Sequence, residues 1–306
     1  MELKTVLTQN RPKISDSSIR TYSSILKNLY HHITGEKYNA DVSPDWFEEN
    51  QKKIMDFLKD MTPRNRKLRL SALVVVTEHK PDVVKKYREQ MIDDIQSYNS
   101  EMKEQKKTEK QENSWITTEE ISKIFEGLRE ETKYISRKVG GATLTKKEFE
   151  TYQNYLILAL YVLNPPRRLE YIDMKLHTIQ PDYEPKKYNY IQNKKFHFTT
   201  YKTSKKYGEQ IVPITPKLYY IIRKWKLLRP HQEWLLSTYD GKKLTPSMLT
   251  QRLNKIFGKK ISVNMLRHIY ITEQVLKDMP PLKELEETAR EMGHSVETAI
   301  TQYKKV

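Results

Sequence analysis

A chain of 306 residues, 37% of them hydrophobic, has apolar material for ordinary cores and a length that suggests two domains. Its 55 basic and 39 acidic residues give a formal charge of +16, which fits a polyanionic partner, nucleic acid first and an anionic membrane surface second. There is no run of 18 apolar residues to span a membrane, no apolar h-region of a secretory signal in MELKTVLTQNRPK, and no cysteine for disulfides or thiolate metal sites.

Residues 1–100 are predicted to be helical. Asp16 or Ser17 caps a helix through His32, with Ile19, Tyr22, Ile25, Leu26 and Leu29 at helical spacing. Ser43-Pro44 opens a second helix, with Trp46, Ile54, Phe57 and Leu58 as its apolar positions. Thr62-Pro63 opens a third, basic at its start and apolar at its end, and Pro81 a fourth that grows more polar. No alternating strand pattern occurs in this half. Residues 101–113, EMKEQKKTEKQEN, hold no apolar residue besides Met102 and predict a linker or an exposed helical extension.

Trp115-Ile116 and the capping pattern Thr117-Thr118-Glu119-Glu120 begin a second domain, 114–306. It contains a buried helix over 152–163 (YQNYLILALYVL), a forced turn at Asn164-Pro165-Pro166, and three strands over 188–191, 195–200 and 210–214. KTSKKYG joins the last two strands, and helices return from Pro216. The expected fold class is mostly α with a small β-sheet, α+β.

Four stretches of this domain carry candidate chemistry, each with a plainer alternative. In NPPRRLEYIDMKL, proline at the first helical position presets a helix start, which puts Arg167 in a first turn whose free N–H groups also favour an anion. The alternative is an arginine paired with Glu170. In TYKTSKKYGEQIVPI, a hairpin tip can carry a lysine into a cleft; the alternative is a solvated basic loop. In SVNMLRHIYIT, Val263, Leu266 and Ile269-Tyr270 form the buried stripe. Asn264, Arg267 and Ile271 share another face, so Asn264 and Arg267 can point into one site; the alternative is a lone surface arginine. In GHSVETAITQY, Gly293 sits where a left-handed stop would end a helix over 282–292, and Ser295 can cap a helix carrying Thr298, Thr301 and Tyr303. Tyr303 follows His294 by nine positions (303 − 294 = 9); the alternative is a surface tyrosine beyond a helical corner.

Taken in order, the arginine, the hairpin lysine, NxxR, Gly-His and the spaced tyrosine resemble the tyrosine recombinase (phage-type integrase) family over roughly residues 115–306. The resemblance puts the family's first arginine on Arg167, its acidic residue on Glu170 and its lysine on Lys202, where K-T-S stands for a frequent K-T-G. Lys205 and Lys206 compete for the lysine's place. The second arginine falls on Arg267, the late histidine on His294 and the nucleophile on Tyr303. Asn264 stands where the family usually has His or Lys, and Pro165-Pro166 replaces a Gly-Leu. The stretch RPHQEWLLSTYDGKKLTPSMLTQRLNKIFG also resembles the segment leading to the second arginine. A helical domain and linker ahead of it suit the family's core-binding domain, and NMLRHIYIT resembles the wording of recombinases from large DNA viruses, virophages and eukaryotic mobile elements.

The resemblance implies a site-specific DNA recombinase or integrase that cleaves and rejoins double-stranded DNA through a 3′-phosphotyrosyl link. It implies no cofactor, no metal and no ATP, an intracellular place in cytoplasm or nucleus, and a homotetramer on paired DNA sites. The residue types suit that chemistry. Two arginines can bind the non-bridging oxygens of a phosphodiester by planar forks and serve best where charge grows in the transition state. His294 can donate a further hydrogen bond there. A phenol titrates at about 10 and needs a cationic pocket to act as a nucleophile. A lysine can protonate the 5′ leaving oxygen. Two other readings stand beside this one: a type IB topoisomerase, whose first domain is strand-rich, and a DNA-binding protein that has lost catalysis. Only Lys304, Lys305 and Val306 follow Tyr303, too few for a helical turn with an apolar face. A monomer in solution is therefore expected, and Tyr303 is expected to act in cis because its helix follows Gly293-His294 too closely to travel to another subunit easily.

Overall fold

The computed structural model describes residues 2–138, 143–176, 188–293, 295–298 and 300. It is mostly helical with one small antiparallel sheet, in keeping with the predicted α+β class. The chain divides into two units, Met1–Lys106 with Pro280–Val306, and Lys107–Met279.

The first unit opens with α1 (Leu3–Asn10), which buries Leu3, Val6 and Leu7 at helical spacing and was not foreseen from the sequence. Helix α2 (Asp16–Thr34) is capped by Ser15, one residue ahead of the predicted Asp16, because the Ser15 hydroxyl accepts the Ser18 amide at 3.2 Å. The helix expected after Ser43-Pro44 is two, α3 (Trp46–Glu49) and α4 (Gln51–Leu58), divided at Asn50. Helices α5 (Pro63–Val76) and α6 (Pro81–Lys103) begin at the predicted prolines. The core gathers Leu7, Leu26, Leu29, Phe47, Ile54, Leu58, Leu73 and Tyr87, and the Tyr87 hydroxyl donates to the Phe47 carbonyl at 3.0 Å. One ion pair lies beneath the surface: Arg66 Nη2 meets Asp94 Oδ1 at 2.6 Å, with the Asp94 side chain 2% exposed. Arg66 Nη1 also donates to the Lys59 and Met61 carbonyls, so its charge and hydrogen-bonding groups are matched.

The expected linker is largely helical. Helix α6 runs to Lys103, and α7 (Glu109–Ser114) follows a capping box made by Thr108 and Gln111. In the second unit, α8 (Thr118–Thr132) begins at the predicted Thr117–Glu120 box. Helix α9 (Lys146–Val162) starts ahead of the predicted 152 because Thr145 and Glu148 form another such box. Helix α9 is buried along most of its length, and Tyr152 stacks on Trp225 with ring centroids 5.5 Å apart. Strands β1 (Tyr190–Gln192), β2 (Lys195–Phe198) and β3 (Gln210–Pro213) form an antiparallel sheet in that order. Asn193 and Lys194 make the two-residue turn at φ 50° and 58°, the backbone a tight hairpin requires. Phe196 and Phe198 face inward onto Tyr171, while His197 stacks on Tyr190 on the other face.

The β2–β3 connection contains a helical turn, α10 (Ser204–Tyr207), where a simple hairpin tip is expected. Helices α11 (Pro216–Leu228), α12 (Pro246–Phe257) and α13 (Val263–Tyr270) complete the unit, and a π-helical turn, Ile271–Val275, extends α13. The sequence expectation carries one domain over 114–306, whereas the residues from Pro280 group with the first unit. They include α14 (Leu282–Glu291) and α15 (Val296–Thr298), with Gly293 at φ +77° after α14 and Ser295 capping α15 as predicted. No helix among the described residues is long and apolar enough to cross a membrane.

Candidate active site

Arg167 does not lie in the first turn of a helix. Helix α9 ends at Val162, residues 165–167 are irregular, and a short 3₁₀ turn, Glu170–Asp173, comes next. Pro166 drives Pro165 away from helical backbone, and neither proline supplies an N–H for a helical ladder. Side chains hold the corner instead. Asn164 donates to the Pro213 carbonyl at 2.7 Å and accepts the Thr215 amide at 3.2 Å, and the Tyr161 hydroxyl donates to the Arg168 carbonyl at 2.9 Å. The corner thus aims Arg167, with no helix dipole involved.

The Arg167 guanidinium stacks over Phe198, 4.3 Å from the ring centroid, and Nη1 donates to Gln210 Oε1 at 2.8 Å. Glu170 Oε1 lies 3.9 Å from Nη2, an ion-pair approach too long for a hydrogen bond. Arg167 Nε and Glu170 Oε2 are buried without a hydrogen-bond partner. The pairing of Arg167 with Glu170 offered as the alternative is thus present as a loose ion pair, and it leaves a buried polar atom of each residue unmatched. Buried polar atoms left unpaired call for an explanation, and a ligand site is one.

Lys202 belongs to the loop just after β2, and one buried side chain ties that loop to the Arg167 corner. Asn189 Nδ2 donates to the carbonyls of Glu170 (2.8 Å) and Thr200 (3.1 Å), and its Oδ1 accepts the amides of Thr199 (3.0 Å) and Thr200 (2.9 Å). Arg267 reaches the same place from α13, whose start is capped by Ser262. The result is a cleft of about 250 Å³ lined, among the described residues, by Arg167, Arg168, Lys202 and Arg267 as cations and Glu170 as a carboxylate, with Pro166, Tyr201, Thr203, Tyr207 and Gln210. Such a cleft favours an anion, and guanidinium forks suit phosphate oxygens.

The competitors Lys205 and Lys206 lie on α10, exposed, and do not line the cleft. Asn264 is exposed as well. Its Nδ2 lies 3.1 Å from His268 Nε2, one helical turn on, and it does not join Arg267 in the cleft. Of the two, Arg267 lines the cleft. His294 and Tyr303 lie outside the described residues.

Arg168, Gln210 and Asn189 were not singled out from the sequence. Arg168 had a signal, as the second half of an arginine pair; Gln210 and Asn189 read only as polar residues near strands. One further cluster lies in the first unit, where ligand atoms of Asp45, Glu48 and His79 come within 4.8 Å of one another. His79 Nε2 already pairs with Glu48 Oε1 at 2.5 Å, and Lys80 Nζ stands 3.6 Å from the other oxygen, which accounts for the grouping without a metal. Comparison of the chain with protein-family models, with curated proteins and with solved structures finds no match.

Proposed function

We propose that the protein is a site-specific DNA recombinase that cleaves and rejoins duplex DNA through a phosphotyrosyl intermediate, working as four copies on paired DNA sites. The observation that carries this is the meeting of Arg167, Lys202 and Arg267 in one cleft. They lie far apart in the chain, and the family resemblance assigns all three to one catalytic set. A generic basic surface would not bring those three together around two unpaired, buried polar atoms.

In this reading Arg167 and Arg267 grip the non-bridging oxygens of the scissile phosphate, most strongly as charge builds in the transition state. The Tyr303 phenol gives up its proton to water as its oxygen attacks phosphorus, the bond to the 5′ oxygen breaks, and Lys202 delivers a proton to that oxygen. The new phosphotyrosyl ester retains the energy of the broken diester, so attack by a 5′ hydroxyl reverses the sequence and releases the tyrosine. His294 supplies a further donor to the phosphate. Helices throughout the described part of the first unit, with no strand among them, support this reading over a topoisomerase with a strand-rich first domain.

The test begins with random duplexes from which the protein selects sequences that it traps covalently. On a nicked suicide substrate built from those sequences, the unaltered protein forms an adduct that survives denaturation. Tyr303→Phe binds the same DNA and forms none. An adduct from Tyr303→Phe would move the nucleophile elsewhere. Relaxation of plasmids lacking paired sites would favour a topoisomerase, and binding with no adduct from any variant would leave a DNA-binding protein.

A further inference from the structure

Glu273 lies outside the cleft, on the π-helical turn Ile271–Val275 that continues α13 beyond Arg267. Its carboxylate is tied three times. Oε1 accepts the Trp115 indole N–H at 2.7 Å, and Oε2 accepts the amide and the hydroxyl of Thr118, each at 2.8 Å. Thr118 is the first residue of α8, so its amide is one of the helix's free donors and the positive end of the dipole faces the carboxylate. Trp115 is itself fastened: Lys107 Nζ sits 3.7 Å above its ring, and its carbonyl accepts Lys259 Nζ at 2.5 Å. Burial pushes the Glu273 carboxyl up, but the hydrogen bonds from Thr118 and Trp115 outweigh it and hold the group below its ordinary value.

The other end of this arrangement is Arg267. The Ile271 amide donates to the carbonyls of Arg267 and His268, and the Leu276 amide to that of Ile271 at 2.8 Å, the wide spacing of a π turn. A π turn holds an extra residue, and one residue rotates the next stretch of chain by roughly 100° about a helix axis. The wide turn therefore decides which way Glu273 faces. The helix that presents Arg267 is pinned at its far end by a carboxylate, with one hydrogen-bonded turn between pin and arginine.

We infer that Glu273 is a positioning residue for Arg267, fastening the α13 helix to Trp115 and the start of α8 so that the guanidinium enters the cleft in one orientation. The inference rests on the reading of the cleft as a phosphoryl-transfer site. Glutamine at 273 replaces one acceptor oxygen by a donor, and all three partners are donors, so at least one tie is lost with little change of shape.

Two measurements on the full chain test it. In a side-chain ¹⁵N spectrum of its arginines, the Arg267 Nε signal, assigned by its loss in Arg267→Lys, should shift in both Glu273→Gln and Trp115→Phe. The Arg229 signal, whose Nε donates to Gln232 Oε1 in the same unit, should stay and thereby report that the variants are folded. An unmoved Arg267 signal in both variants overturns the inference. On DNA that traps the unaltered protein, Glu273→Gln should cleave about tenfold to a hundredfold more slowly, the scale of a misplaced group. That deficit should shrink, as for Arg267→Ala, when the scissile phosphate is a neutral methylphosphonate that needs less help from a cation. An equal deficit on both linkages overturns the positioning role. If the unaltered protein traps no DNA, the phosphoryl-transfer reading fails, and the spectrum still decides whether Glu273 sets the position of Arg267.

Discussion

Asn189 is fully buried and places its whole amide on backbone, two donors on carbonyls and one oxygen on two amides. Alanine there would strand four backbone groups where water is excluded. Each stranded group costs about 1–3 kcal/mol when nothing relaxes, so Asn189→Ala should lower the melting temperature by several degrees or more, read by calorimetry. It should also reduce cleavage more than the lost stability explains, because it frees the Lys202 loop from the Arg167 corner. An unchanged melting temperature would show that the loop is held by other means. In the first unit, Asp94→Ala removes the partner of a largely buried Arg66. That should cost about 3–5 kcal/mol, as breaking a buried pair does, while Asp94→Asn retains an acceptor and costs less; chemical denaturation of the two variants checks the order. Arg167, Lys202 and Arg267 could be picked from the sequence because their chemistry is specific and their order informative. Asn189 could not, since an asparagine between two tyrosines announces neither burial nor its four partners.

Elements defined by local chemistry were read correctly where the local signal was complete. Thr117 and Glu120 form the predicted capping box because its two hydrogen bonds join residues three apart and need nothing from the rest of the fold. Removing that threonine, Thr117→Ala, should cost roughly 1 kcal/mol of stability, measurable by thermal melting. The Pro165-Pro166 corner misled, because proline is as compatible with an irregular turn as with a helix start, and distant groups on β3 and at Thr215 decided between them. The β2–β3 connection was read as a lysine-bearing tip, and its helical turn puts Lys205 and Lys206 on an exposed coil while Lys202 precedes it and lines the cleft. If Lys202 is the general acid, Lys202→Ala should cleave about 10² to 10⁴-fold more slowly. A 5′-bridging sulfur, a leaving group that needs no proton, should restore most of the rate. Rescue of Lys205→Ala or Lys206→Ala in its place would move the role onto α10.

At the scale of the whole molecule, the charge of +16 leads to a prediction about affinity. Binding to duplex DNA should weaken steeply with salt, since each phosphate neutralised releases counterions. With six to ten contacts the loss is about 10³ to 10⁵-fold between 50 and 200 mM. A nearly flat response in a salt titration would argue against extensive phosphate contact. The two-unit division was partly legible. A polar, lysine-rich stretch over 101–113 marked the boundary, and the chain divides at Lys106 and Lys107 within it. That the residues from Pro280 group with the first unit was not legible, because the ties the structure shows, Lys103 to Glu286 and the Leu282 amide to Gln105, are polar contacts that no local pattern announces. By itself the sequence determined the charge, the predominance of helix, the capped starts of α8 and of the helices opened by proline, and a short list of cations able to bind phosphate. Those features arise from composition and from interactions within one or two turns of chain. Only the tertiary structure decided that Arg167, Lys202 and Arg267 share a cleft and that Glu273 reaches back to Trp115. Each of those depends on contacts between residues far apart in the chain, formed when the sheet and the helices bury their apolar faces together.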